Sequence, residues 1–184
     1  KRAIEKPATA DVEAYDYYLR GRQYFHQFRW KGFEFARQMF ARATEIDPRY
    51  ARAYAGTADC CSFLYLYWDA NPALLEEAEA ASQKALELDP ELAEAHAARG
   101  MAVSLRKDYD RAREEFETAI RLNPKLFEPY YFFARALFVQ GKLEEAIRMY
   151  DQASQVRPED YQVPQLVSTV YSKLGRKAEA EATS

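Results

Sequence analysis

Small and large hydrophobic residues recur along this chain at fixed distances before four prolines, Pro48, Pro90, Pro124 and Pro158. One alanine stands five residues before each proline and another stands twelve before it. Eight residues before the prolines stand, in chain order, Phe40, Ser82, Phe116 and Tyr150. Spacings of three, four and seven residues place these positions on one face of a helix, and polar residues fall on the opposite face. The pattern therefore predicts an amphipathic helix that ends just before each proline.

The prolines also divide the chain into similar units. They lie 42, 34 and 34 residues apart, and each is the last residue of a six-residue motif, Ala-x-x-x-Asp/Asn/Arg-Pro. Repetition with this period is typical of a solenoid of helix-turn-helix units, in which each unit packs on its neighbours. The sequence thus predicts an all-α fold, and such arrays serve as binding surfaces more often than as catalysts.

A second pattern precedes each of these helices. It has an aromatic residue or a histidine, a small residue four positions later, and a bulky residue three positions after that. The small residues, where the two helices of a unit are expected to touch, are Gly21, Ala58, Gly100 and Ala134. Together with the proline-terminated helices, this pattern resembles the tetratricopeptide repeat family.

The resemblance implies a right-handed superhelical solenoid of antiparallel helix pairs, with four full repeats and a truncated fifth. We predict a linker over residues 1–13 and a solenoid over residues 14–184. The repeats are expected at residues 14–48, 49–90, 91–124, 125–158 and, in part, 159–184. Asp11 is a candidate N-cap for a helix that would begin inside the linker segment.

Two segments of the sequence resemble a particular bacterial subfamily of these repeats. The segment Tyr18–Arg22 with Trp30 downstream, and the segment Ala53–Asp59, are similar to bacterial repeat regions that follow an effector domain. Those effector domains are winged-helix DNA-binding domains, nucleotide cyclases or kinases. The resemblance implies that the chain is a piece of a larger bacterial regulatory protein.

Composition excludes several function classes. The net charge of -3 argues against a nucleic-acid-binding role for this segment, since such domains are usually basic. No apolar run approaches the roughly 20 residues of a membrane helix, so we expect no membrane segment. Cys60 and Cys61 are adjacent, and neighbouring helix positions cannot readily form a disulfide. Reduced cysteines and the missing signal-peptide pattern predict a cytoplasmic protein.

The resemblance also implies where a ligand would bind, because the first helices of such units line a concave wall. On that wall we expect Tyr15, Tyr18, Arg22, Arg52, Asp59, Met101, Tyr131, Arg135 and Phe138. The same frame places Glu94, Ala97 and Glu128 there. Tyrosine and arginine are frequent anchors of binding energy. We therefore predict that Tyr18, Tyr131 and Phe138 bury apolar surface of a peptide or protein partner, and that the arginines fix its register.

Nothing in the sequence predicts catalysis. Only two histidines occur, His26 and His96, and no His or Cys cluster has metal-ligand spacing. No glycine-rich phosphate loop is present. We expect neither a cofactor nor a metal, and we predict that the chain is not an enzyme.

The second unit is eight residues longer than the period, and the extra segment is rich in aromatics. Its residues either pack beneath lengthened helices, which we favour, or form an exposed patch. In the second case Tyr65, Tyr67 and Trp68 would serve a homodimer or the docking of an effector domain.

The sequence therefore leaves two candidate functions open. The first is a protein-protein interaction scaffold that binds a peptide in its concave groove. The second is a sensory or oligomerising arm of a signalling enzyme or transcription regulator, without a free peptide ligand.

Overall fold

The computed structural model describes residues 9–160 and 162–183. The described residues form helices and contain no strand, and ten helices follow one another along them. The helices are α1 Val12–Phe25, α2 Trp30–Ile46, α3 Ala51–Tyr67, α4 Pro72–Leu88, α5 Ala93–Leu105, α6 Tyr109–Leu122, α7 Phe127–Val139, α8 Leu143–Val156, α9 Gln162–Lys173 and α10 Lys177–Ala182. Successive helices pair and each pair packs on the next, so the predicted all-α solenoid is confirmed.

The repeated phrase before each proline ends the second helix of a pair. The caps Asp47, Asp89, Asn123 and Arg157 each donate their backbone N–H to the carbonyl of the alanine four residues earlier. In the first three, a side-chain oxygen also accepts the backbone N–H two residues on, at 3.0 to 3.1 Å. A short acidic or amide side chain favours this turn, and the following proline disfavours further helix. This local chemistry explains why Asp-Pro and Asn-Pro recur.

In α5 and α7, the residue at the aromatic position ties the helix to the preceding turn. The Tyr130 hydroxyl donates to the Pro124 carbonyl at 3.1 Å. A ring nitrogen of His96, in the same position of the previous pair, lies 2.9 Å from the Pro90 carbonyl. Both residues stand six positions after the proline, so histidine replaces the aromatic residue here without losing the bond.

Close packing within the first two pairs depends on two glycines. A methyl group at Gly21 would lie 2.5 Å from the ring of Phe40, and one at Gly56 would lie 2.7 Å from the other side of that ring. Phe40 is fully buried between α1 and α3. The predicted contact at Gly21 is therefore present, and Gly56 is a second one that the repeat pattern did not single out.

The first helix begins earlier than position 14. Asp11 accepts the backbone N–H groups of Glu13 and Ala14, so α1 starts at Val12. The Thr9 hydroxyl donates to the Asp47 carboxylate at 2.5 Å, which joins this end of the chain to the turn after α2. Residues 1–8 of the expected linker lie outside the described residues.

The extra residues of the second unit lengthen both of its helices, since α3 and α4 have 17 residues each while α5 has 13. Phe63, in the added part of α3, is buried. Its ring stacks on Phe33 at 5.1 Å and meets the edges of Phe25 and Phe132 at 5.3 Å each. Phe132 belongs to α7, beyond the alanine-rich α5. A longer α3 therefore connects the first pair of helices with the fourth.

Candidate functional site

The first helices of the pairs form one continuous wall around two adjoining cavities. The larger, which we call the groove cavity, has a volume of about 340 Å³. It is lined by Tyr18, Leu19, Arg22, Phe25, Asp59, Glu94, Ala97, Leu126, Glu128 and Phe132. A second cavity of about 250 Å³ shares Phe25, Glu128 and Phe132 with it. Because α1 and α7 line the same space with α3 and α5 between them, this side of the array is concave.

Helical spacing directs these side chains into the cavity. Tyr18 and Arg22 are four residues apart on α1, as are Glu128 and Phe132 on α7. Between them, α5 presents Ala97, whose small side chain leaves the cavity open. The wall positions predicted at Tyr18, Arg22 and Asp59 do line one cavity.

The charged groups of the cavity are mainly carboxylates. Glu94 pairs with Arg52 at 3.8 Å, and Glu128 pairs with Arg157 at 3.3 Å. Asp59 is partly exposed to the cavity, and within the described residues its carboxyl group forms neither an ion pair nor a hydrogen bond. Burial raises the pKa of Asp59 to about 8, and the nearby carboxylates add to this rise while Arg22 opposes it.

The three predicted arginines have partners within the protein. The Arg22 guanidinium lies 5.8 Å from the ring centre of Phe25, and that of Arg135 lies 5.7 Å from the ring of Tyr67. Arg52 is held by the Glu94 ion pair. Of these arginines, Arg22 alone lines the groove cavity, and ligand contacts by Arg52 and Arg135 stay a prediction.

Two predicted wall residues belong to the core. Met101 is 1% exposed, and Tyr131 is 7% exposed. The Tyr131 ring stacks on Phe127 at 5.5 Å and meets Tyr150 edge-on at 6.1 Å. Both side chains pack in the core, and Tyr131 also lines the second cavity. A ligand contact by either residue stays a prediction.

Two others lie away from the groove cavity. Phe138 is half-buried, and the Lys173 ammonium group lies 4.9 Å from its ring centre. Tyr15 is 37% exposed on α1 but is not among the residues that line either cavity. Neither side chain reaches the groove cavity.

The extension of α3 divides between core and surface. Phe63 and Leu64 are buried and Tyr65 is half-buried, whereas Tyr67 and Trp68 are exposed. The rings of Tyr67 and Trp68 lie 5.6 Å apart, and the exposed Phe28 lies 6.3 Å from Tyr67. We call Phe28, Tyr67 and Trp68 the aromatic patch.

Sequence reasoning missed Phe132, which lines both cavities from α7. The run Tyr130–Phe133 is the sequence signal that could have indicated Phe132, because four consecutive aromatic residues are more than one buried helix face requires. Leu126, at the N-terminus of α7, was missed too because it precedes the repeat pattern of that helix.

Among the described residues, no helix combines the length and the apolar character that crossing a membrane requires.

Comparison with known proteins identifies the family. A protein-family model described as tetratricopeptide repeat matches residues 104–168, and a second with the same description matches residues 74–126. A curated relative, the small glutamine-rich tetratricopeptide repeat-containing protein 2 of Saccharomyces cerevisiae, is 33% identical over 87 residues, which is 43% of this chain. The match spans 25% of the length of that relative.

Solved structures share the fold at low sequence identity. TTC0263, a thermophilic TPR protein of Thermus thermophilus, matches with a TM-score of 0.68 and 17% identity, over 92% of this chain and 87% of that one. MamA from Desulfovibrio magneticus gives a TM-score of 0.62 and 17% identity, over 95% and 93%. YrrB, described as a TPR protein with an unusual peptide-binding site, gives 0.55 and 19%, over 96% and 89%. Helix pairs, repeated segments and matched models agree that residues 74–168 contain tetratricopeptide repeats, and the other described helices continue the same fold.

Proposed function

We propose that this protein binds a peptide segment of a protein partner in its concave groove. A tetratricopeptide fold supports a protein-protein interaction scaffold, and proteins of this kind are generally not enzymes. The observation that carries the proposal is the pair of adjoining cavities, about 340 and 250 Å³, which share an aromatic wall formed by Phe25 and Phe132. Concave apolar surfaces with a few polar groups are the usual form of a binding site. We further propose that the groove serves a larger bacterial regulatory protein.

The test selects short random peptides on phage against the protein and measures the binding of synthetic selected peptides by fluorescence anisotropy. Ala97→Phe places a ring in the groove cavity without changing charge. We expect it to weaken binding by about tenfold or more, since a filled pocket loses its anchor contacts. Ala80→Phe, on the exposed face of α4, is the matched control and keeps the wild-type affinity.

Circular dichroism and thermal melting show whether Ala97→Phe folds. Leu19→Gln, at a partly exposed position of the same cavity, provides a second variant if it does not. Equal affinity in wild type and in both folded groove variants would show that peptides bind elsewhere.

A second function, an oligomerising arm, is favoured by the aromatic patch. Phe28, Tyr67 and Trp68 are 48%, 39% and 44% exposed and lie side by side, and such surfaces commonly mark interfaces. Sedimentation equilibrium over a range of concentrations tests this function, with Trp68→Ser as the variant. A wild type that stays monomeric at high concentration refutes it.

A further inference from the structure

The groove cavity has an unbalanced set of charges. Three carboxylates, Asp59, Glu94 and Glu128, line it together with one guanidinium, that of Arg22. The cations that neutralise Glu94 and Glu128 belong to Arg52 and Arg157, which are not among the residues lining this cavity. Within the described residues, Asp59 and Arg22 are therefore the charged lining groups that form no ion pair.

Asp59 is the carboxyl group that still lacks a cation. It lies on α3, between Arg22 on α1 and the two glutamates on α5 and α7. Tyr18 lines the same cavity, and burial raises the pKa of its hydroxyl. A partly buried carboxyl group without an ionic partner favours a ligand that brings one.

We propose that the groove cavity binds a lysine or arginine side chain of the partner segment, with Asp59 as its counter-ion and with Glu94 and Glu128 on either side. This inference rests on the proposed function, because it names the chemistry of the segment that the groove holds. The aliphatic stem of the basic residue packs against Phe25 and Phe132, whose rings also attract a cation. A neutral side chain at this place would leave Asp59 without a partner.

The proposal carries a specific pH dependence. In the free protein, Asp59 is mostly protonated at neutral pH because its pKa is about 8. A bound cation favours the ionised form, so binding releases a proton. Affinity should rise close to tenfold per pH unit well below pH 8 and level off above it. His26, the other group that titrates near the groove, has a pKa lowered by burial and by Arg22, so it stays neutral above its ordinary value of 6.5.

The experiment repeats the phage selection on wild type and on Asp59→Asn, followed by anisotropy with synthetic peptides from pH 6.5 to pH 9. Wild type should select peptides with one recurrent basic position, and Asp59→Asn should bind them about tenfold or more weakly at pH 8.5. Its affinity should also no longer depend on pH. Asp69→Asn, at an exposed acidic position just after α3, is the matched control and keeps both properties of wild type.

A variant with the opposite charge at position 59 provides a complementary test. Asp59→Lys should bind the same peptide once its basic residue is replaced by glutamate, at least tenfold more tightly than it binds the original. Selected peptides without a basic position, or an unchanged affinity in Asp59→Asn, overturn the inference. If Ala97→Phe still blocks those peptides, the groove function stands and only its cationic chemistry is wrong. If Ala97→Phe binds them normally, the groove function itself is wrong.

Discussion

The packing of Phe40 between two glycines yields a prediction whose size follows from the structure. A Cβ atom at Gly56 would lie 2.7 Å from two atoms of the Phe40 ring, whereas ordinary contact begins at 3.4 Å. The ring edge would have to retreat by about 0.7 Å. It has no room to do so, since Gly21 touches the opposite side of the ring and a Cβ there would lie at 2.5 Å.

The expected cost combines two opposing effects. Overpacking a rigid core costs about 1 to 3 kcal/mol. Replacing glycine by alanine inside a helix returns up to about 1 kcal/mol, because alanine has the higher helix propensity. Gly56→Ala should therefore lower the free energy of unfolding by about 1 to 2 kcal/mol, which for a chain of this size corresponds to a fall in Tm of about 2 to 8 °C.

Urea denaturation followed by circular dichroism at 222 nm measures this change. Phe40→Leu provides the control, because a smaller side chain leaves room for the new methyl group. In that background Gly56→Ala should be neutral or stabilising, and the double-mutant cycle should give a coupling energy of about 1 kcal/mol or more. Additive effects of the two substitutions would refute the reasoning, since they would show that the methyl group and the ring do not compete for space.

Three further predictions concern buried polar groups. The hydrogen bond to Glu115, at 2.7 Å, raises the pKa of His96 in the folded protein. The contact therefore stabilises the fold fully below pH 6.5, the pKa of an unperturbed histidine. This contribution is lost as the pH rises through the higher pKa that His96 has in the folded protein. His96→Asn should thus cost more stability at pH 5.5 than at pH 8.5 in urea titrations, and an equal cost at both would contradict this. Arg99→Leu should raise the free energy of unfolding by about 1 kcal/mol, because the buried Nε of Arg99 has no partner within the described residues, and a lower Tm would refute it. Burial raises the thiol pKa of Cys60, and that of Cys61 to about 12, so iodoacetamide at pH 8 should label them only in denaturant, as mass spectrometry would show.

Much of the fold follows from the sequence because it depends on local chemistry. The turn after α2 needs an extended residue before Pro48 and a short side chain that accepts an N–H, and Asp47 meets both needs. The pairing of Gly21 with Phe40 follows from helical spacing in the same way. The sequence predicts that the extra residues lengthen the helices of the second unit, but it does not predict which of them are buried. Phe63 is buried, whereas Trp68 is exposed.

The groove was harder to foresee because it depends on curvature. Spacing showed that Tyr18 and Asp59 point to one side of the array, but not that α7 approaches α1 closely enough for Phe132 to face them. That approach depends on small residues along α5, such as Ala97, and no repeat pattern encodes the distance. Ion pairs between different helices, such as Arg52 with Glu94, were hidden for the same reason. Hence the sequence pattern favoured the arginines as ligand contacts, whereas most of the charged residues that line the cavity are carboxylates.

The contact between Phe63 and Phe132 has a consequence for how this protein can evolve. Repeat arrays ordinarily gain or lose whole modules by duplication or deletion, since each module touches only its neighbours. Here α3 and α7 meet across α5, with ring centres 5.3 Å apart. An added module would push these rings apart, and a deleted one would remove the spacer between them. The number of modules between α3 and α7 is therefore fixed, and lineages of this protein should vary in length only outside that stretch.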